Sequence, residues 1–306
     1  MILSTLLLFI TLIAAPAALV YALWTRPEPT RFEWLVKLLY TVVFFLYVLV
    51  VGRWDWVSIH LRWLWIVLLI AAAVVSYRKA KDALFFADAG PRLTLKRAAG
   101  SIFILAVFLA FFGFSARGYF INAQPVELAF PLKGGQYYVA QGGNSTLVNY
   151  HNSHPTQKYA LDIVALSPAG LRAAGISPTQ LDRYVVYGEP VYAPCAGTVL
   201  EAVDGLPDMI PPQTDRDHPA GNHIIIACDS AEVLLAHLST GSLQVGQGTQ
   251  VQTGDPLARI GNSGNTTEPH LHIHAARPAA GGATSGTGIP ITFDGRFVVR
   301  NGVIRD

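Results

Sequence analysis

Tryptophan is missing from the last 241 positions of this 306-residue chain: all six lie at or before Trp65. Histidine is missing from the other end. Only His60 occurs in the first 117 residues, and the remaining eight fall between His151 and His274. Two chemically different halves therefore meet near residue 118. The second half also lacks a basic excess, with 10 Lys/Arg against 15 Asp/Glu, which excludes a basic nucleic-acid binder. Cysteine is limited to Cys195 and Cys228, and two cysteines alone cannot build a structural zinc site. No His-Glu-x-x-His sequence occurs, so any metal-assisted hydrolysis has no glutamate base of that kind. The long apolar runs contain no Asp or Glu, which gives little support for a transport path.

What the first half does contain is length without charge. Residues 2–24 are uncharged and long enough to cross ~30 Å of hydrocarbon. Residues 35–52 form a second run, broken only by Lys37, whose stem permits snorkelling. Residues 63–77 and 98–116 complete a set of four, the third extendable back to Trp56 across Arg62. The first run has no basic leader and exceeds a usual signal-peptide core, so a retained helix is expected. The expected loops one and three hold nine basic residues, among them Arg26, Lys37, Arg78 and Arg97, against Arg53, Arg62 and Arg117 on the other side. The positive-inside rule then places the C-terminal half outside a cytoplasmic (inner) membrane, in the periplasm or beyond. The expected organisation is an all-α transmembrane bundle of four helices over 1–117, a linker leading into a first strand over 118–135, and a domain over 136–306.

From Phe130 onward, short runs rich in Val, Ile, Leu and Tyr alternate with Gly, Pro, Asn and Asp, which predicts a mainly-β domain. Strands are expected at 136–139, 190–193, 197–202, 223–227, 233–237 and 297–299. Helix is expected only at 167–172 and around 179–183. Residues 188–199 and 248–260 weakly repeat one hairpin-like unit, as in compact antiparallel sandwiches. Residues 204–220, polar and rich in Pro and Asp, predict a long surface loop. An external location permits a disulfide between Cys195 and Cys228; two buried thiols are the other reading.

The chemistry concentrates in Gly261-Asn-Ser-Gly-Asn-Thr-Thr-Glu-Pro-His-Leu-His-Ile-His274. A Gly-rich turn feeds a strand, and alternation puts His270, His272 and His274 on one face. Imidazoles so spaced suit a zinc site. Asp162, alone among apolar neighbours, requires a cation or donors if it is buried. His151 and His154 lie shortly before it. His237 ends an apolar run and reads equally as a packed core histidine. His223 reads as structural and His218 as exposed.

Together these segments resemble the lysostaphin-type zinc endopeptidases, the peptidoglycan-cutting family that includes LytM-like proteins. The resemblance runs from about Phe130 to the C-terminus and is most specific in Gly261–His274. It implies an antiparallel β-sandwich of the duplicated hybrid motif kind and one Zn²⁺ per site. It also implies metal ligation by Asp162 and His272, with His237 and His270 as catalytic non-ligand histidines. The family's usual His-x-Gly-x-Asp is altered here: Lys158 stands four before Asp162, and Ala160 replaces the Gly. His151 is then the expected first ligand, with His154 as its substitute. The implied function is a membrane-anchored metalloendopeptidase hydrolysing cross-links or stem peptides of peptidoglycan. Its partners are cell wall and lipid bilayer, with no nucleic acid. The alternative is an inactive member that binds cell wall or regulates another hydrolase. A phosphate-carrying sandwich of the sugar-phosphotransferase kind would instead require a cytoplasmic domain.

Overall fold

The computed structural model describes residues 2–229, 231–279 and 282–305, and they divide into two compact units. The first comprises residues up to Trp54 together with Ile59–Ala116; the second comprises Asp55–Ser58 and Arg117 onward.

The first unit is helical, with α1 (Ile2–Phe9), α2 (Ala15–Thr25), α3 (Arg31–Val51), α4 (Leu61–Ala80) and α5 (Pro91–Ala116). Helices α1 and α2 are joined without a break by a π-helical turn, Ile10–Ala14. The cause is Pro16, which cannot donate to the carbonyl four residues back and crowds it. That carbonyl belongs to Leu12, and it accepts instead from the indole Nε1 of Trp65 at 2.9 Å. Thr30 caps α3: its hydroxyl accepts from the Glu33 amide at 3.2 Å and donates to the Glu33 carboxylate at 2.8 Å. Among the described residues, four segments, Thr5–Thr25, Arg31–Val51, Leu61–Ala80 and Pro91–Tyr119, are long and apolar enough to cross a membrane. Lys37 is buried, its stem reaching back from α3 to the preceding loop, where it donates to Glu28 Oε1 at 2.7 Å and to the Arg26 carbonyl at 2.9 Å.

The second unit is mainly β. Its strands are β1 (Val126–Glu127), β2 (Gln136–Gln141), β3 (Leu161–Ala165), β4 (Pro190–Tyr192), β5 (Gly197–Val203), β6 (Asn222–Cys228) and β7 (Ala231–Leu238). They continue with β8 (Gln250–Val251), β9 (Pro256–Arg259), β10 (Leu271–Ala279), β11 (Gly282–Ile289), β12 (Ile291–Phe293), β13 (Arg296–Phe297) and β14 (Val303–Arg305). One large sheet runs β14-β2-β3-β10-β7-β6-β5-β8, with β11 also paired to β10. Two small sheets, β1-β12-β13 and β4-β9, accompany it. Every pairing in the large sheet is antiparallel.

The centre of the large sheet fixes everything that follows. Leu161, Ile163 and Ala165 of β3 and Leu271, Ile273 and Ala275 of β10 all enter the main apolar core. Because side chains alternate, the residues between them face the other way. Burying these aliphatic chains is worth roughly 1.5–3 kcal/mol each, so a one-residue slip is strongly opposed. The core thereby holds the polar face in register.

Three expectations are corrected here. Residues 167–172 form no helix but a turn, in which the Gly170 amide donates to Ser167 and the Ser167 amide to Leu171. Pro168 and the left-handed Gly170 prevent a helix from propagating. Near 179–183 only a single 3₁₀ turn forms, Leu181–Arg183, and the strand expected at 297–299 is Arg296–Phe297. Residues 204–220 form a long loop beyond β5, with only an isolated bridge from Asp208 to Ser263.

Cys195 and Cys228 are bonded, 33 positions apart, at the ends of the paired strands β5 and β6. In the chain-entropy account, a loop of that size contributes about 3–4 kcal/mol. The Cys195→Ser/Cys228→Ser protein should therefore melt at a lower temperature than wild type. Equal midpoints under oxidising conditions would contradict this.

Candidate active site

Asp162 of β3 and His272 of β10 are direct cross-strand partners on the face opposite the core. His272 Nδ1 lies 3.0 Å from Asp162 Oδ1. His151 approaches the same carboxylate from a 3₁₀ turn, Tyr150–Ser153, with Nε2 at 3.0 and 3.1 Å from its two oxygens. That turn is set by Asn149, fully buried, whose amide donates to the Gly143 and Ala160 carbonyls while its oxygen accepts from the His151 amide. Gln157 Oε1 lies 3.1 Å from His151 Nδ1 and so reserves Nε2 for the site. The irregular spacing before Asp162 is thus accommodated by a turn instead of a strand.

Two more histidines close on the same point. His270 Nδ1 donates to the Glu268 carbonyl at 2.9 Å, which leaves Nε2 as the free acceptor. That Nε2 is buried, makes no hydrogen bond and stands 3.5 Å from Asp162 Oδ1. His237 Nδ1 donates to the Ser263 carbonyl at 2.9 Å, again freeing Nε2. The His237 backbone is left-handed at φ 63°, uncommon for a non-glycine residue and typical of strained functional positions. Gly221 and Gly264, both at positive φ, permit the loops behind it. A Cβ on Gly221 would meet the Ser263 carbonyl oxygen at 2.3 Å, and one on Gly264 would meet the Gly221 nitrogen at 2.4 Å.

Among the described residues, two overlapping groups have donor atoms mutually within 4.8 Å: His151, Asp162 and His272, and His237, His270 and His272. The first contains the carboxylate, which neutralises part of a divalent charge. It matches the two-imidazole, one-carboxylate sets that hold catalytic zinc with a fourth position open. The residues present therefore fit zinc. The cluster borders a cavity of about 490 Å³ that His154, Tyr150 and Pro155 also line. His154 lines this cavity without joining either donor group, whereas His151 does join one. His218 sits outside, paired to Asp215 at 2.8 Å, and His223 Nδ1 bonds the Gly221 carbonyl.

Burial governs protonation here. It pushes His272 down to about 4, against the pull of its hydrogen bond to Asp162. Burial, with the neighbouring imidazoles, also holds His237 and His274 well below the ordinary histidine value. Burial opposes the charged form of His270 as well, but the Asp162 carboxylate outweighs it and raises that group. Burial penalises the Asp162 charge, yet His151 and His270 hold the carboxyl well below its usual range. Three histidines therefore bind protons less readily folded than unfolded, where the value is ~6.5. For His272 the unfolded chain takes up the proton first between about 4 and ~6.5, and the lowered His237 and His274 act in the same direction below ~6.5, so stability falls as pH falls. The metal-free protein should melt at a lower temperature at pH ~4.5 than at pH ~7. A higher midpoint in acid would show that His270 dominates instead.

His274 is the functional neighbour that sequence reasoning placed on the right face but gave no task. It is buried, with Nδ1 2.9 Å from His272 Nε2. Since His272 turns Nδ1 toward Asp162, His274 fixes the other side of the same ring.

The β-domain thus carries a buried His/Asp cluster, able to hold a metal ion, beside an open cavity. Residues 180–282 match the model of Peptidase family M23. The matched segment contains His237, His270 and His272 and begins after His151 and Asp162. Among solved structures, the lysostaphin catalytic domain from Staphylococcus simulans is 22% identical, covering 33% of this chain and 68% of that one, at a TM-score of 0.26. The M23 metalloprotease pseudoalterin, from the deep sea, is 17% identical, covering 60% and 100%, at 0.34. A zinc-containing peptidase from Vibrio cholerae is 18% identical, covering 58% and 40%, at 0.30. The match covers 38% of the chain in another structure of lysostaphin from Staphylococcus simulans. No curated protein sequence matches it.

Proposed function

We propose that this chain is a membrane-anchored zinc endopeptidase that hydrolyses peptide bonds of peptidoglycan, with its β-domain on the extracytoplasmic side. The observation that carries this reading is the meeting of His151, Asp162 and His272 with two further histidines, three of the five lining one cavity, in a domain whose residues 180–282 match the model of Peptidase family M23. Four apolar helices precede that domain, and the excess of basic residues in alternate loops favours an external β-domain. Cell-wall peptides lie on that side, and a disulfide suits an oxidising compartment.

His151, Asp162 and His272 would hold the zinc. Bound there, zinc supplies a Lewis acid and brings the pKa of water to about 7. The chain's own residues supply the proton traffic. His270 and His237 each present a free Nε2 because a backbone carbonyl holds the opposite nitrogen. One such nitrogen would accept the proton of the attacking water and return it to the departing amine as the peptide C–N bond breaks, while the other imidazole, when protonated, would donate to the developing oxyanion. The β3–β10 register positions Asp162 against His272 before substrate arrives.

The test is zinc content of the full-length protein together with digestion of purified peptidoglycan, followed by mass spectrometry of the new termini. Zinc-dependent appearance of new amino termini supports the reading. Stoichiometric zinc without cleavage favours the non-catalytic alternative, and a β-domain protected from added protease in spheroplasts overturns the external placement.

A further inference from the structure

Arg172 is a buried cation close to the site, and the proton chemistry leaves it without a role. Its side chain is 1% exposed. Nε donates to Glu268 Oε2 at 2.8 Å, and Nη2 lies 2.7 Å from the same oxygen. Nη2 also donates to the Ile176 carbonyl at 3.0 Å. The guanidinium carbon stands 3.6 Å from the centre of the Trp56 ring, and Asp55 Oδ2 lies 3.9 Å from Nε. The backbone is fastened as well, since the Arg172 amide donates to the Asp55 carbonyl at 3.0 Å. Asp55–Ser58 lies in sequence between two membrane-length helices, α3 and α4, yet it belongs to the β-unit.

Glu268, the partner of Arg172, is the residue whose main-chain carbonyl accepts the His270 Nδ1 proton. The same carbonyl accepts from Thr266 Oγ1 at 2.8 Å. Buried ion pairs contribute little net stability compared with well-packed apolar residues, because both ions lose their hydration. Their rigid, directional geometry does fix position, and an Arg fork stacked on an aromatic face is the stiffest form of it. Here that stiffness is applied two residues from His270.

We propose that Arg172, backed by Asp55 and Trp56, is a positioning residue: it clamps Glu268 so that the Glu268 carbonyl holds His270 with Nε2 toward the site. The segment between α3 and α4 is then a working part of the catalytic domain and not merely a connection. The claim rests on the peptidase reading only for its kinetic arm.

The experiment uses the full-length protein in nanodiscs with Arg172→Gln, Arg172→Lys, Trp56→Leu and Glu268→Gln. Two readings are taken: kcat and KM on a soluble peptidoglycan fragment, and the nitrogen-15 shifts of His270. Losing an outer partner of a site group costs roughly 10–100-fold, so kcat of Arg172→Gln should fall in that range with KM and zinc content held. The His270 signal should move from a pure Nδ1–H tautomer to a mixture. Glu268→Gln should fall less, because its carbonyl and a side-chain acceptor remain, and Arg172→Lys should recover only part. Arg172→Gln with wild-type kcat and an unmixed tautomer overturns the proposal, as does a rise in KM alone. If Arg172→Gln does not fold, Trp56→Leu decides by the same two readings. If wild type cleaves nothing, the peptidase reading fails, while the tautomer comparison still judges the clamp.

Discussion

Asp162→Asn should lose zinc, with affinity lower by at least on the order of 100-fold, the upper end of what losing even an outer partner costs. The reason is charge. Asp162 is the only carboxylate in the two donor groups, and every other donor there is an imidazole. A dication held in a buried pocket by neutral ligands alone keeps its full charge away from water, whereas the carboxylate cancels half of it. Asparagine preserves the shape and removes the charge. His274→Leu should give a smaller loss, nearer 10-fold, because it removes only the group that orients His272 from behind. His151→Ala should act like a ligand loss and His154→Ala should not, since only His151 reaches Asp162. Zinc titration of the full-length variants against a competing chelator measures all four. Unchanged zinc affinity in Asp162→Asn would remove the basis of the site.

How far this centre was legible in the sequence depends on what kind of physics placed each residue. His270, His272 and His274 were readable because strand alternation is a local rule. Opposing Leu271 and Ile273 to the core leaves the histidines no other face. Asp162 was readable for a similar reason, as a charge in a strand otherwise fully apolar. His151 depended on the family resemblance, because its position comes from a turn held by Asn149 and Gln157 and not from any period. The β-strands largely followed their apolar runs. The expected helix at 167–172 failed because Pro168 and a Gly170 at positive φ outweigh the helix formers Ala169, Leu171 and Arg172. Arg172, in that same stretch, was invisible as a partner of Glu268 because 96 positions separate them. The sandwich expectation resolves into one large antiparallel sheet with two small ones. Whether they stack as a sandwich depends on packing between sheets, which alternation along single strands does not encode.

His270→Ala should lower kcat by roughly 10²–10⁴-fold, the usual contribution of a positioned acid–base group, while zinc binding stays near wild type. The separation of the two effects follows from geometry. His270 Nε2 has no hydrogen-bond partner of its own and stands 3.5 Å from the nearest carboxylate oxygen, whereas His151 and His272 sit at 3.0 Å. The ring is therefore beside the donor set and not needed to close it. His237→Ala should also lower kcat, with an added stability penalty or gain that depends on how alanine bears the left-handed backbone at φ 63°. A His237→Gly control separates backbone from imidazole, since glycine accepts that conformation freely. If the two histidines act on one proton path, the double variant should lose little more than the worse single, as groups acting as a unit are non-additive. Fully additive losses would assign them to separate steps. Zinc loss in His270→Ala equal to that in Asp162→Asn would instead make His237, His270 and His272 the ligand set, and the roles of His151 and His270 would exchange.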